Sequence, residues 1–360
     1  MKRLNKIVTC LLLSSTVLTG CYPGNAKPID SQSTTSQDSS TFEITNPKLH
    51  SNITEDEFKV ADTSSAAIRI IGTAHQWNAD TVNTLFGVTE NSIEEENSQT
   101  YSDTNIGYYY TFKNGNRLGY SNGIISFETG LGNLMTFYFN EEAAYISPST
   151  YQKEYSEKEY NDFSKADALE MVKPYLDKLE IPVEEQPAIF TVNSESLNRI
   201  REIRIQGQGE DCPEIPDNCN MYHICYKIRI NEKVLMPMQP FNYETNQEPM
   251  AWASLRVTVN KDGIQQFECA NMVDLDESKS SEINTCSASD AYIEVKTNLN
   301  NTVLGNETYM ENIYFAYGLR VFDDTTFELI PLYHIGSYEV ISEENYLNPH
   351  FVNAETGKER

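Results

Sequence analysis

Basic residues are scarce in this chain. Against 53 Asp and Glu there are 27 Lys and Arg, with five His, and the formal net charge is −26. A field of that sign repels nucleic acid and anionic headgroups, so no nucleic-acid partner is expected. Trp occurs twice, and no apolar run reaches the roughly 20 residues that a bilayer-spanning helix needs. There is no H-E-x-x-H and no phosphate-cradling G-x-x-x-x-G-K, and no nucleophile elbow is expected. Asp274-x-Asp276-Glu277 lacks the Gly and distal Glu of a calcium loop and reads as a solvated acidic turn. Neither a metal nor a cofactor is expected. His75, His223, His334 and His350 share no motif and are expected to be ordinary surface or sheet residues.

The first 21 residues hold an address. Lys2, Arg3 and Lys6 precede the apolar stretch 7–18, which ends in Leu18-Thr19-Gly20-Cys21. A basic start, a short apolar core and small residues before the cut describe a secretory signal peptide. Leu-Thr-Gly-Cys resembles a bacterial lipobox. Residues 1–20 are then removed, and Cys21 carries a diacylglycerol that binds the chain to the membrane. Two acyl chains suffice for stable anchoring, where one is marginal. The expected location is the extracytoplasmic face of the bacterial cell membrane. Residues 21–53 are rich in Ser, Thr, Asp, Asn and Pro; with little to bury, they are expected to be a disordered tether.

Seven cysteines occur, of which Cys10 leaves with the signal and Cys21 is lipidated. Cys212, Cys219, Cys225, Cys269 and Cys286 remain, an odd number, so at least one thiol is free or intermolecular. Cys212-x6-Cys219-x3-His223-x-Cys225 holds four soft ligands, but the spacing is wider than that of structural zinc modules. A Cys212–Cys219 disulfide across a loop with two prolines competes with free thiols and with zinc. Cys225 and Cys269 are a second candidate pair, on strands expected to be neighbours.

With 39% apolar and 11% aromatic residues, the chain can fill cores, and its length suggests two domains. In residues 55–150 the pattern predicts a strand at 66–71 and a helix capped by Asn78 and ended by Gly87. Strands are expected at 106–112, 118–120, 124–128 and 134–139, with Asn114-Gly115 and Asn122-Gly123 as hairpin turns. Tyr108, Tyr110 and Tyr120, in the run Tyr108-Tyr109-Tyr110 with Phe112, are candidates for a stacking platform for a sugar or peptide. A boundary is placed at 151–163.

Residues 164–357 start with Ser164-x-x-Asp167 before an apolar stripe, the mark of a capped helix, with Pro174 expected to kink it. Strands are expected at 189–192, 200–205, 222–230, 234–238, 255–259 and 264–269. The strand 222–230 alternates, which predicts one wet face. The order then recurs: a helix at 289–299, and strands at 312–321, 327–334, 337–341 and 350–354. The fold class is α+β: antiparallel sheets, each with a packed helix, in two domains. The second domain holds two related helix-plus-hairpin units.

The helix Lys165-Ala166-Asp167-Ala168-Leu169-x-x-Val172, the strand Tyr222-x-Ile224-x-Tyr226, the hairpin Asp262-Gly263-Ile264 and the closing Phe351-Val352-Asn353-Ala354-Glu355-Thr356-Gly357 carry a resemblance. Together they resemble the PepSY and YycH/YycI-like lipoproteins and membrane-tethered proteins of low-GC Gram-positive bacteria. The resemblance implies a non-catalytic protein that regulates a sensor kinase or a secreted peptidase at the outer membrane face. The expected function is therefore lipid-anchored binding or regulation of a surface protein, sensor or peptidase. A glycan- or small-ligand-capture lipoprotein is the alternative, and a cell-wall hydrolase a further one. An exposed sheet edge favours a regulator, an aromatic cleft favours capture, and a cleft of converging ionisable groups favours an enzyme.

Overall fold

Strand pairing dominates the computed structural model of this chain. It describes residues 53–54, 59–60, 67–103, 105–138, 158–208, 213–217, 219–237, 250–301, 307–323, 325–341 and 344–359. All of them fall in one compact unit, Ile44–Phe241 with Glu248–Arg360. The expected signal peptide, Cys21, most of the expected tether and Cys212 lie outside the described residues.

In chain order the elements are β1 (Ile53–Thr54), β2 (Lys59–Val60), β3 (Ala67–Ala74), α1 (Ala79–Leu85), β4 (Ile93–Ser102), β5 (Asn105–Phe112), β6 (Arg117–Ser121), β7 (Ile124–Glu128) and α2 (Gly130–Tyr138). They continue with α3 (Lys165–Lys178), β8 (Ala188–Val192), α4 (Ser194–Gln208), β9 (Met221–Lys227), β10 (Arg229–Ile230), β11 (Lys233–Val234), β12 (Met250–Ala251), β13 (Ser254–Asn260), β14 (Gly263–Ala270) and β15 (Val273–Ile283). Last come α5 (Ala288–Asn301), β16 (Glu307–Val321), β17 (Thr326–Ile341), β18 (Glu344–Asn353) and β19 (Lys358–Glu359).

One sheet has eight strands in the order β4-β5-β6-β7-β14-β13-β9-β8, all antiparallel. The other runs β16-β17-β18-β19, with β3 on the first residues of β17 and β15 outside β3. Four short pieces cover the outer edge of β16: β1 and β2 in parallel, Leu235 by a parallel bridge, and β12 antiparallel. The architecture is α+β, as its pattern predicts. The helix α3 packs on β13 and β14, and α5 on β17, β18 and β19. Both helices start with the same capping box, Ser164 with Asp167 and Ser287 with Asp290.

The expected boundary at 151–163 does not divide the sheets. β7 from the first region pairs with β14 from the second, and β3 pairs with β15 and β17. Each sheet is built from both regions.

Several elements fall where expected. Asn78 caps α1 through a hydrogen bond from Thr81 N to its Oδ1, and Gly87 follows with φ +71°. Gly115 and Gly123 turn their hairpins at φ +84° and +70°. Val352 of the closing strand is buried, and Gly357 has φ +64°.

Others differ. The strand expected at 134–139 is the helix α2, because Thr129 caps it: its Oγ1 accepts from Gly132 N at 3.1 Å. The strand expected at 200–205 is part of α4, started by Asn193 and Ser196, which bond each other's backbone N–H at 2.8 and 3.1 Å. The strands expected at 327–334 and 337–341 are one strand, β17, which runs through Gly336. The helix α3 continues through Pro174 to Lys178. The wet face expected for β9 is covered, since His223 and Cys225 are buried. One face of β9 joins a cluster with α3 through Tyr222, Ile224 and Tyr226; the other joins a second cluster with Leu197 of α4 and Tyr314 and Phe351 of the other sheet.

Candidate functional site

The second face of the eight-stranded sheet is its polar face. Cross-strand register sets two rows there. One row is Tyr109, Gly119, Ser126, Glu268, Arg256 and Cys225; the next is Thr111, Arg117, Glu128, Gln266, Thr258 and His223. Residues directly opposite in a ladder share a face, so these side chains are neighbours.

Two arginine–carboxylate pairs hold the rows together. Arg117 Nη2 lies 2.5 Å from Glu128 Oε1 and donates to Asn133 Oδ1 of α2 at 3.1 Å. Arg256 Nη2 lies 2.9 Å from Glu268 Oε1. Burial pushes the Glu128 carboxyl upward, Arg117 opposes this, and Glu268 adds to it. Burial also lowers Arg256, and Glu268 works to keep it charged. Further along, Thr258 Oγ1 donates to Gln266 Oε1 at 3.2 Å, so it accepts from His223 Nδ1 at 2.9 Å. That places the His223 proton on Nδ1. Burial holds this ring neutral, with its pKa pushed down to about 3.

The expected tyrosine platform sits on the opposite, core-facing side. Tyr108 and Tyr120 stack at 5.2 Å and Tyr110 and Tyr120 at 6.3 Å, and Tyr110 and Tyr120 are only 6% and 4% exposed. These two rings are withdrawn from solvent. The alternation of a strand turns Tyr109, the middle residue of the expected platform, to the polar face instead. Its ring covers Gly119, and with Tyr101 it covers Gly107. The Tyr101 and Tyr109 hydroxyls are hydrogen-bonded.

A second constellation lies across β17, β18 and β19. Ser337 Oγ is 2.9 Å from His350 Nε2, and His350 Nδ1 is 2.6 Å from Glu359 Oε1. The connectivity is that of a serine–histidine–carboxylate relay. Three facts oppose chemistry there. Ser337 is fully buried, it lies within a continuous strand, and its only hydroxyl proton has a carbonyl acceptor in Asn348 O at 3.0 Å. Glu359 also accepts from Asn298 of α5 at 2.6 Å. Burial raises the Glu359 carboxyl, but the hydrogen bond and charge of His350 and the Asn298 bond outweigh that and leave it below its ordinary range. The arrangement ties the closing strands to α5.

The spacing G-x-S-x-G, which the expectation of no nucleophile elbow passed over, is met by Gly119-Tyr120-Ser121-Asn122-Gly123. Ser121 ends β6, and Asn122-Gly123 turns the chain into β7. An elbow needs a strand-to-helix turn, so this match is a hairpin.

Cys225 is opposite Arg256, whereas Cys269 is opposite Leu255. The two cysteines therefore lie on opposite faces, with β13 between them, and the expected neighbour pairing is corrected. Cys219 is a buried free thiol, pushed up to about 11 by burial; the proposed partner Cys212 is outside the described residues. Asp276 accepts from Ser278, and Glu277 from Asn231 and Lys233. Among the described residues no group of three His, Cys, Asp or Glu is placed to hold a metal, and no helix is long and apolar enough to cross a membrane. His75 Nδ1 meets Asp274 Oδ1 at 2.8 Å on the surface. His334 is buried between Tyr314 and Phe351.

No family model matches this chain, and no curated protein does. Among solved structures it is similar to an uncharacterised protein from Eubacterium rectale ATCC 33656, with TM-score 0.63 at 13% identity, covering 86% of this chain and 91% of that one. At that identity the likeness shows the fold alone. The Bacillus megaterium YpeB C-terminal domain matches with TM-score 0.32 at 10% identity, over 79% of this chain and 96% of that one. A score that low supports no argument.

Proposed function

We propose that this chain is a non-catalytic binding or regulatory protein, held by a lipid on Cys21 at the extracytoplasmic face of the membrane. The observation that carries the reading is β4. Its residues from Glu94 to Tyr101 are exposed on both faces, and among the described residues only β5 pairs with it. An open edge of this length can take an added strand from a partner, with main-chain hydrogen bonds supplying affinity. Glu94, Glu95 and Glu96 guard the edge against self-association, the usual role of charge on such a strand. The buried, committed Ser337 supports a binding role over the hydrolase alternative.

The partner class in this reading is a surface protein, a sensor or a peptidase. A photo-crosslinking residue at Ser98, in intact cells, tests it. A discrete protein adduct is expected from Ser98 and not from Lys261, which lies in the β13–β14 turn. Equal adducts from both positions, or none from Ser98, would overturn the reading.

A further inference from the structure

The open edge of β4 has two unlike ends. Its charged residues are Glu94, Glu95 and Glu96, all at one end, and the neighbouring β5 carries no charge. Among the described residues no Lys or Arg pairs with these three carboxylates. Glu95 accepts from Asn97 Nδ2 at 2.9 Å, and Lys113, just beyond β5, donates to Asn91 O at 2.7 Å instead. Glu95 lies opposite Thr111 and Glu96 opposite Tyr110, so the two carboxylates stand on opposite faces of the sheet. A cation arriving along the edge meets one on either face. The other end is apolar. Tyr101 is 37% exposed, and Ile106, which lies opposite Thr100, is 41% exposed. The Tyr101 ring is held in place: it lies over Gly107, and its hydroxyl is bonded to that of Tyr109. Little side-chain freedom is left for it to lose on binding. Between the two ends Asn97, Ser98, Gln99 and Thr100 are uncharged and exposed. From Glu95 to Tyr101 the edge runs about 20 Å.

We infer that this edge takes an extended segment of a partner protein, running antiparallel to β4, with an apolar residue at its start and Lys or Arg at its end. The direction follows the sheet, in which every pairing is antiparallel, the slightly stronger ladder. A segment running against β4 meets Tyr101 first and Glu96 and Glu95 last. Residues directly opposite in such a ladder share a face, so its closing cations come beside the two glutamates and its first side chain beside the Tyr101 ring. Charge selects this occupant. The net charge of −26 attracts a basic segment, whereas a second copy of this chain brings the same charge and the same three glutamates. The inference rests on the edge reading given above and adds the chemistry and the direction of the partner strand.

Fluorescence anisotropy of the labelled peptide Phe-Thr-Thr-Ser-Thr-Lys-Lys, with the full-length protein in detergent, tests it. Binding is expected below about 1 mM. The same peptide ending in Glu-Glu, and the reversed peptide Lys-Lys-Thr-Ser-Thr-Thr-Phe, should each bind at least about tenfold more weakly. Methylating one alternate set of the peptide's backbone amides should abolish binding, and methylating the other set should leave it, because only every second amide of an added strand faces its neighbour. Glu95→Lys combined with Glu96→Lys should invert the preference, so that the Glu-ended peptide binds better. An inverted preference reads the charge even where the variant loses some stability. Hydrogen exchange on the native chain should show the Lys-ended peptide protecting residues 94–101. No binding by that peptide, equal binding by the Glu-ended or the reversed one, or protection elsewhere overturns the inference. So does sedimentation as a dimer that the peptide splits, which assigns the edge to a second copy. The Ser98 adduct separates the two readings. An adduct in cells without the peptide preference sinks this inference and leaves the edge reading; the preference without an adduct sinks the edge reading alone.

Discussion

Gly132 of α2 rests directly on the backbone of Gln265 in β14: a Cβ built on the glycine overlaps the Gln265 carbonyl oxygen and carbon. This contact seats α2 on the sheet beside the polar rows. The Thr129 side chain reinforces it, donating to Gln265 Oε1 at 2.8 Å, while Thr129 N donates to Gln265 O at 2.8 Å.

Backbone cannot retreat as a flexible side chain can. Gly132→Ala should therefore cost about 1–3 kcal/mol of stability, as overpacking does. Urea denaturation should show a lower midpoint with an unchanged slope. An unchanged midpoint would mean that α2 does not sit against β14.

Acid should weaken the fold through its buried histidines. Burial pushes His223 and His334 down to about 3, and the charges of Lys227 and His350 add to the effect at His334. Both are neutral in the fold and take a proton more readily when unfolded, near pH 6.5. Their stabilising contribution is complete above about pH 6.5 and is lost as pH falls towards about 3, roughly 2 kcal/mol per ring by pH 5. Both His334 ring nitrogens are buried without a partner among the described residues. His334→Phe should therefore flatten the slope of stability against pH between about 6.5 and 4. A slope equal to that of the native chain would rule the ring out as a source.

Glu359 works in the lower window. Its folded carboxyl is held below the ordinary range, so it stabilises the fold above about pH 4.3 and stops doing so as pH falls through the depressed folded value. Glu359→Gln should lower the melting temperature at pH 7 and narrow the gap between pH 7 and pH 3. Proteolysis is expected to release the last residues first. Equal melting of the variant and the native chain at both pH values would show that the His350–Glu359 link carries no stability.

The proposed anchoring rests on Leu18-Thr19-Gly20-Cys21. Cells fed a clickable fatty acid should label the native protein, and Cys21→Ser should lose the label and leave the membrane fraction. An unlabelled native protein would refute lipidation.

Local chemistry made much of the fold legible. Asn-Gly turns, the Ser164 box and the Asn78 cap act within a few residues, so the chain itself displays them. Two helix starts were equally local and were missed. Thr129 before Gly130 and Asn193 before Ser196 are caps, but the β-branched and aromatic residues that follow suggested strands. Burial of β9 on both faces was not legible, because His223 and Lys227 are polar and the second cluster, which holds Cys225, is assembled from distant elements such as Leu197 and Tyr314. The polar rows follow from register. Tyr109 and Glu268 are 159 positions apart, and only the β7–β14 pairing puts them on one row.

The seat of β3 sets a timetable for the chain. Residues 70–73 take their place against 326–329, so a strand made early waits for one made almost last. Contacts of such sequence separation are slow to close, and the edges left open meanwhile invite wrong partners. A chain threaded through a membrane start-first would leave Ile70 and its neighbours without β15 until residue 283 had passed, and without β17 until residue 329 had. Its final shape would be reached only once the far end was through.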